Sequence, residues 1–273
     1  MPELPEVETI KLSLQSLVGS RVTQIKVLNP NLRWPVAKDE LLQYIQDHTI
    51  ICVRRRSKYL IWDMNNDYSL YIHLGMSGRL GRFHSETVFE PHTHIIFELE
   101  SQRQIRYRDP RRFGFVGVYR TEYLNQHPRF RDLGVEPLSG DFHGTFFFQR
   151  TSGSSRCIKT LIMDSKIVTG IGNIYANEAL FHSKLIPDRP ADTLSKQECR
   201  TLVDSAKQIL QKAIQSGGTT LSDFRNAQGE PGYFQQDLYV YQRAGLPCKL
   251  CKTEIQYIKL SGRSSFFCPE CQN

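Results

Sequence analysis

Hydrophobic residues repeat at helical spacing over the first part of the chain. The repeating positions are Val7, Ile10, Leu14, Leu17 and Val18. A repeat of three or four residues predicts one amphipathic helix with its apolar side toward a core. Pro5 suits the first turn of such a helix, and Gly19 is a natural stop after it.

Between residue 21 and about residue 120 the pattern changes to short β-rich segments. They are separated by Asn, Gly or Asp turns and cover residues 22–28, 50–55, 59–64, 69–75, 94–100 and 113–119. Several such segments at close spacing are typical of a β-sandwich. The sequence therefore predicts an N-terminal β-sandwich preceded by one helix.

From about residue 130 the pattern favours helices, and residues 195–216 give the strongest case. Ser195 and Glu198 have the spacing of a capping box, and Gly217 follows as a stop. Apolar positions repeat along one face at Leu202, Ala206, Ile209 and Ala213. Residues 157–166 and 174–181 are predicted as further helices, so the middle of the chain is expected to be helical.

The composition is that of a soluble globular protein. Hydrophobic residues make up 40% of the 273 positions and charged residues 23%. No apolar run reaches the roughly 18 residues that cross a bilayer. The acidic start MPELPEVE lacks the basic and apolar regions of a signal peptide. We therefore expect a cytoplasmic protein without a membrane partner.

The formal net charge of +7 favours a polyanionic partner, although many ordinary proteins are equally basic. Basic residues form two clusters, which are Arg54, Arg55, Arg56 and Lys58, and then Arg103, Arg106, Arg108, Arg111 and Arg112. Tyr107 and Phe113 lie within or beside the second cluster. Basic and aromatic side chains together can hold phosphates and stack on bases, which is consistent with nucleic acid.

Four of the seven cysteines are confined to the last 26 residues. Cys248 and Cys251 form one Cys-x2-Cys pair, and Cys268 and Cys271 form a second pair after sixteen residues. This spacing predicts a tetrahedral Zn²⁺ site with four thiolates. Because four protein ligands leave no open position, the one zinc per chain is expected to be structural.

The other three cysteines, Cys52, Cys157 and Cys199, are predicted to be buried thiols in a reducing compartment. Arg263 lies on the loop that the metal would fix. The tail alone leaves two interpretations of Arg263 open, a phosphate contact and a solvated surface arginine.

The N-terminus allows two interpretations. Methionine aminopeptidases usually remove Met1 before a residue as small as Pro2, which would expose a secondary amine. Such an amine can attack a sugar carbon, and Glu3 and Glu6 could transfer protons beside it. Alternatively, proline and glutamate are simply favoured in the first turn of a helix.

Several motifs, in order along the chain, resemble those of the formamidopyrimidine-DNA glycosylase family. The N-terminal PELPEVE is similar to the family's signature, and the tail with its four cysteines and Arg263 is similar to its zinc finger. The matching segments between them are SKYL at 57–60, HLGMSG at 73–78, DPRRFG at 109–114, GIGNIYANE at 170–178, GGTT at 217–220 and GEPGYF at 229–234. They resemble, in that order, a lysine loop, two base-wedge loops, a helix–two-turns–helix motif and two parts of a lesion cap.

The resemblance implies an α+β, multidomain fold. The expected domains are the N-terminal catalytic helix and β-sandwich over 1–130, the helix–two-turns–helix domain with the lesion-cap loop over 131–237, and the four-cysteine zinc finger over 238–273. The implied activity is a bifunctional DNA glycosylase and AP lyase. It would excise oxidised purines from duplex DNA in base excision repair, through a Schiff base at Pro2 and β,δ-elimination. The protein would be bacterial and monomeric.

The resemblance also assigns roles to individual residues. The implied catalytic residues are Pro2 as nucleophile, Glu3 as acid and base, Lys58 near the phosphate of the lesion, and Glu6. The implied DNA-binding residues are Met76, His92, Arg111, Phe113, Lys159, Asn173 and Arg263. Without the resemblance, Met76 could equally be a core methionine and His92 a surface histidine before a strand.

Two alternatives stay open at this point. Endonuclease VIII-like glycosylases prefer oxidised pyrimidines and typically begin PEGPE, whereas this chain has Leu4 and keeps the wedge residues. A non-catalytic DNA-binding protein on the same scaffold is the second alternative, and it would be favoured if Met1 were retained.

Overall fold

The computed structural model describes residues 2–219, 226–228, 230 and 232–273. The chain divides into two compact units. Unit 1 comprises Met1–Arg131 with Ser216–Tyr233, and unit 2 comprises Asp132–Gln215 with Phe234–Asn273. The finer division at 130/131 and 237/238 stays a prediction. No helix among the described residues is long and apolar enough to span a membrane.

Unit 1 begins with the predicted helix, α1, which spans Leu4–Ser13. A second helix, α2, spans Lys38–Tyr44, and short 3₁₀ turns cover Gln15–Leu17 and Thr121–Gln126. The α-helix ends at Ser13, and Leu14 and Leu17 are buried beyond its end, whereas Val18 is exposed. The extension of the helix beyond Ser13 was therefore wrong.

Eight strands of unit 1 form two antiparallel four-stranded sheets. Their bounds are β1 Val22–Val27, β2 Ile50–Arg56, β3 Tyr59–Met64, β4 Tyr68–His73, β5 Arg79–His84, β6 Thr93–Leu99, β7 Arg103–Arg108 and β8 Phe115–Arg120. One sheet has the order β1-β6-β7-β5 and the other β2-β3-β4-β8. Residues from both sheets form one buried core, in which the rings of Trp62 and Phe97 lie 5.3 Å apart. This is the predicted β-sandwich.

Strands β5 and β7 were not predicted from the sequence. Four of the six residues of β7 are polar, so the strand has no β-rich run. Ile105 and Tyr107 pack in the core, whereas Arg106 lies on the other face of the sheet and is still only 2% exposed. Its guanidinium lies between the rings of Phe83 and Phe89, at 4.6 and 4.5 Å from their centroids. It also donates to the carbonyl of Thr87. Arg106 is therefore a structural residue and not the phosphate contact that its cluster suggested.

Much of the first basic cluster is also engaged within the protein. Arg54 donates two hydrogen bonds to Asp63, at 2.6 and 3.0 Å. Arg55 pairs with Glu8 at 2.7 Å and thereby ties α1 to the end of β2. Since ion pairs already occupy these two guanidinium groups, the cluster as a whole is not a free phosphate site.

Unit 2 contains the remaining helices and a β-hairpin. The helices are α3 Gly144–Thr151, α4 Ile158–Ile162, α5 Asn173–His182 and α6 Lys196–Gln215, with 3₁₀ turns at Ala191–Thr193 and Phe234–Asp237. The hairpin pairs β9 Gln256–Leu260 with β10 Arg263–Phe267. The predicted capping box is present, because Ser195 N donates to Glu198 and Glu198 N donates to Ser195. The helix predicted over 157–166 is shorter than expected.

The prediction of three buried thiols was only partly right. Cys199 is buried, Cys157 is half-buried and Cys52 is exposed. Cys52 lies on β2, which is an edge strand of its sheet. The neighbouring Val53 packs in the core, so Cys52 points to the other face of the strand, and the sequence did not reveal which face would be exposed.

Candidate functional site

Pro2 and Glu3 are buried residues immediately before α1. The Glu6 carboxylate, 1% exposed, holds the chain at this point. Its Oε2 accepts from Glu3 N at 2.8 Å, and its Oε1 accepts from Thr219 N at 2.8 Å. Glu6 therefore fixes the backbone beside Pro2 and attaches it to the segment that begins at Ser216.

Lys58 lies on the tight turn between β2 and β3. Ser57, which precedes it, has a left-handed backbone with φ of 56°. Helix α1 packs against both strands that flank this turn. Lys58 is half-buried and so keeps part of its side chain accessible to solvent.

His73, at the end of β4, is affected electrostatically by Lys58. Burial and then the nearby Lys58 lower the pKa of His73 to about 4. The imidazole is therefore neutral at pH 7, and its Nδ1 accepts a hydrogen bond from Gly75 N at 3.0 Å. A neutral His73 thus fixes the start of the loop that contains Met76.

We expect His73 to make folding stability depend on pH. Its folded pKa of about 4 lies below the unfolded value of about 6.5, so the unfolded state binds more protons between these values. The contribution of His73 to folding stability should be complete above about pH 6.5 and fall as the pH is lowered toward 4.

Replacing His73 with Asn keeps an acceptor that does not titrate. Thermal unfolding of this variant should show a shallower loss of Tm between pH 6.5 and 4.5. The exposed His84, replaced in the same way, is the control; an unchanged slope for His73→Asn would refute the assignment.

The three proposed wedge side chains lie on exposed loops of unit 1. Met76 is 43% exposed and Phe113 is 42% exposed. Arg111 is exposed, with its guanidinium 4.8 Å from the centroid of the Phe113 ring. Met76 is therefore not the core methionine that the sequence left open. His92 is also exposed and has a left-handed backbone with φ of 66°.

The segment that resembles a lesion cap is only partly described. Within 217–220 and 229–234, residues 220, 229 and 231 lie outside the described part, as do 221–225 between them. The described ends lie against each other, because Thr219 pairs with Tyr233 in an antiparallel bridge. A side chain at Gly232 would collide with the carbonyl oxygens of Gly217 and Gly218, so glycine is required there.

In unit 2, Lys159 and Asn173 contact the hairpin of β9 and β10. Lys159 is 2% exposed, and its Nζ donates to Ser264 O at 2.9 Å and to Ser265 Oγ at 2.7 Å. Asn173, the first residue of α5, donates from Nδ2 to Ser264 O at 3.1 Å. Both side chains therefore hold strand β10, whose first residue is the exposed Arg263. The phosphate contacts expected of Lys159 and Asn173 stay predictions.

Two residues of α5 that sequence reasoning missed anchor the same module. Asn177 Oδ1 accepts from Phe266 N at 2.7 Å. The buried Glu178 carboxylate accepts from three consecutive amides, those of Tyr239, Val240 and Tyr241, at 2.8 to 3.0 Å. The sequence signal that could have identified Asn177 and Glu178 is their position in the motif GIGNIYANE at 170–178. Helix α5 therefore fixes the C-terminal module at its start, residues 239–241, and at strand β10.

The four C-terminal cysteines lie together in unit 2. All four Sγ atoms are within 4.8 Å of one another. The Sγ atoms of Cys251 and Cys268 are 3.4 Å apart, and those of Cys248 and Cys271 are 3.9 Å apart. With Zn–S bonds of about 2.3 Å, tetrahedral sulfur ligands lie about 3.8 Å apart. The cluster therefore fits a four-coordinate metal.

Comparisons with known proteins match the whole chain. Three family models cover residues 1–116, 133–225 and 245–273, namely the formamidopyrimidine-DNA glycosylase N-terminal domain, its H2TH domain and a zinc finger found in FPG and IleRS. A formamidopyrimidine-DNA glycosylase of Photorhabdus laumondii is 44% identical over 273 residues, with complete coverage of both chains. This chain belongs to the formamidopyrimidine-DNA glycosylase family.

Solved structures of the family have the same fold. A mutant of the Lactococcus lactis FPG, in complex with DNA containing Fapy-dG, matches with a TM-score of 0.93 and 33% identity. The wild-type FPG of that organism, in complex with DNA containing an oxidised pyrimidine, matches with a TM-score of 0.92 and 33% identity. Both matches cover 100% of each chain. The predicted α+β fold with a zinc finger is thus confirmed.

Proposed function

We propose that this protein is a DNA glycosylase and AP lyase that removes oxidised purines from damaged duplex DNA. Its family membership over the full length and the DNA complexes of its structural relatives support this function. The observation that supports it most is the position of Pro2 and Glu3. They are buried at the N-terminal end of α1, which packs against the two strands joined by the Lys58 turn.

The first step would be attack of the Pro2 nitrogen on C1′ of the damaged nucleotide. The bond from C1′ to the base breaks, and its electron pair leaves with the base. The Pro2 nitrogen gives up its proton as the new C1′–N bond forms, and the departing base takes up one proton. Glu3 would protonate the ring oxygen O4′ as the C1′–O4′ bond opens, which leaves an iminium between Pro2 and C1′.

Strand cleavage would follow from the iminium. Its positive charge acidifies the C2′ proton, and loss of that proton expels the 3′ phosphate by β-elimination. A second proton loss, at C4′, expels the 5′ phosphate by δ-elimination. Hydrolysis of the iminium then restores Pro2, and a one-nucleotide gap remains. Lys58 would hold the phosphate near the lesion through these steps, and Glu6 would keep the backbone beside Pro2 in place.

A nucleotide stacked in duplex DNA does not expose C1′ to the enzyme, so the damaged nucleotide must be everted. Met76 and Phe113 are exposed apolar side chains of the kind that enter base steps. Arg111 would hydrogen-bond the base left opposite the lesion, and its donors suit the acceptors of cytosine. His92 would make a further contact with the DNA.

Unit 2 would contribute contacts to DNA phosphates through Arg263 and Asn173, with Lys159 as a further contact. Asn173 begins α5, where free backbone amides favour an anion. One structural Zn²⁺ bound by Cys248, Cys251, Cys268 and Cys271 would hold the hairpin that presents Arg263. The protein would act as a monomer in the bacterial cytoplasm and would need no cofactor for turnover.

The substrate class can be tested with two lesions in the same duplex sequence. We expect release of 8-oxoguanine opposite cytosine to be faster than release of thymine glycol, because Leu4 and the three wedge residues are those of the purine-specific branch. Single-turnover rates measure both. Faster release of thymine glycol would instead favour a pyrimidine-preferring enzyme, to which the complex of the relative with an oxidised pyrimidine gives some support. Binding without release of either base, with Met1 retained by intact mass, would identify a non-catalytic DNA-binding protein.

A further inference from the structure

One buried carboxylate lies beneath both wedge loops of unit 1. Asp109 follows directly after β7 and is fully buried. Its Oδ1 accepts from Ser77 Oγ at 2.6 Å, and its Oδ2 accepts from Gly114 N at 2.8 Å. The side chain of Asp109 therefore joins the loop that contains Met76 to the end of its own loop.

Ser77 extends this link to the arginine of the wedge. Its hydroxyl donates to Asp109 and accepts from Arg111 N at 3.1 Å. Ser77 also follows Met76 directly in the chain. The Ser77 hydroxyl thus links the loop that contains Met76 to the loop that contains Arg111.

The backbone of Asp109 holds two further residues of the same surface. Asp109 N donates to His92 O at 3.1 Å, and Asp109 O accepts from Arg112 N at 3.1 Å. Arg112 has a left-handed backbone with φ of 54°, which a rigid surrounding must maintain. Asp109 is therefore in contact with the three chain segments that contain Met76, His92 and Arg111.

Close packing leaves these loops little room to move independently. Gly75 has a φ of 63°, and a side chain there would collide with the backbone of Phe113 and Gly114. Tyr107, fully buried, donates its hydroxyl to Asp109 Oδ2 at 3.2 Å. Burial, and then the neighbouring Asp109, raise the pKa of Tyr107 well above its ordinary value. The phenol therefore stays protonated and remains a donor.

We propose that Asp109, acting through Ser77, is a positioning residue that sets selectivity for the base opposite the lesion. This inference rests on the proposed function. Asp109 is fully buried and does not itself reach the DNA. It acts by fixing Arg111 relative to Met76, so that the guanidinium meets the unpaired base in one geometry. Selectivity depends on this geometry because hydrogen bonds discriminate bases only when donors and acceptors are aligned.

The test is Ser77→Ala in the full-length, zinc-loaded protein. The measured quantity is the ratio of kcat/KM for 8-oxoguanine opposite cytosine to that for 8-oxoguanine opposite adenine. We expect this ratio to fall by about threefold to tenfold, as for partners within one hydrogen-bond network. Ser77→Thr, which keeps the hydroxyl, should restore most of the ratio. Asp109→Asn should lower it further, because an amide replaces one of the two acceptors.

Ser69→Ala is a matched control. Ser69 is a buried serine of the same unit, and its hydroxyl donates to Asp63 Oδ1 and contacts Thr121. The variant therefore loses a serine–aspartate hydrogen bond of the same kind, but away from the wedge loops. Its ratio should equal that of the wild type even if its Tm falls. A ratio that falls equally in Ser69→Ala and Ser77→Ala would show a general effect of destabilisation and overturn the proposal.

The Arg111→Ala background separates positioning from direct contact. If Ser77 acts through Arg111, then Ser77→Ala should not change the ratio further once Arg111 is Ala. A further fall in that background, or a wild-type ratio in Ser77→Ala alone, would overturn the proposal. If the wild-type protein released no 8-oxoguanine, the proposed function and this inference would fail together. Release by the wild type with no effect of Ser77→Ala would refute this inference alone.

Discussion

Replacing Pro2 with Gly should slow base excision by orders of magnitude while damaged DNA still binds. The change removes the secondary amine that would attack C1′, but it leaves the phosphate contacts of both units unchanged. Excision is measured under single turnover, and binding is measured with DNA containing a stable abasic-site analogue. A variant defective in chemistry alone loses kcat with an unchanged Kd.

Two further variants sharpen this prediction. Glu3→Gln keeps the amine and removes the proton donor, so its rate should fall by about 10²- to 10⁴-fold, as for other general acids. Pro5→Ala is the matched control, since Pro5 is the second proline of the segment and lies in the first turn of α1. Its rate should stay close to that of the wild type. A Pro2→Gly protein as active as Pro5→Ala would contradict the role of Pro2.

Cys248→Ser should release the bound metal and abolish tight DNA binding. Cys248 is fully buried in a small core with Phe181, Val240, Ile255 and Cys268, so metal and core are lost together. So small a module buries too little apolar surface to fold without its metal. Losing one of four ligands should weaken zinc binding by more than about 100-fold. The hairpin that presents Arg263 would then lose its fixed shape.

Metal analysis and DNA binding, measured on the same preparation, check this prediction. The wild type should contain one zinc per chain, and the β-sheet circular dichroism of unit 1 should persist in the variant. Cys157→Ser is the control, because Cys157 is a half-buried thiol of the same unit outside the cluster. Clearly less than one zinc in a wild type that binds DNA tightly would show that the metal is not needed.

The sequence predicted well those helices and sites that are determined by residues close together in the chain. Helix α6 has its own capping box and a regular apolar stripe, so its start and end could be inferred from neighbouring residues. The zinc ligands were likewise found from spacing alone. The roles of Pro2, Glu3 and Lys58 depended on the family resemblance, because their pattern is equally suited to an ordinary helix start and turn.

Features that depend on distant partners were missed. Strand β7 was missed because four of its six residues are polar, and the burial of one of them, Arg106, depends on two phenylalanines from other segments. Asp109 lies within a recognised motif, but its main partner, Ser77, is 32 positions away. Lys159 was predicted as a DNA contact, and the sequence did not reveal that its Nζ is bound by residues more than 100 positions later. Spacing along the chain contains no information about such pairs.

The measurement that tests the central claim most directly is chemical trapping of the covalent intermediate. If Pro2 is the nucleophile, borohydride should reduce the iminium during turnover to a stable adduct between protein and DNA. Peptide mapping should then place the adduct on the nitrogen of Pro2, and trapping should fall sharply in the Pro2→Gly protein. An adduct on Lys58 or Lys159, or undiminished trapping in Pro2→Gly, would contradict the account and move the nucleophile away from the N-terminus.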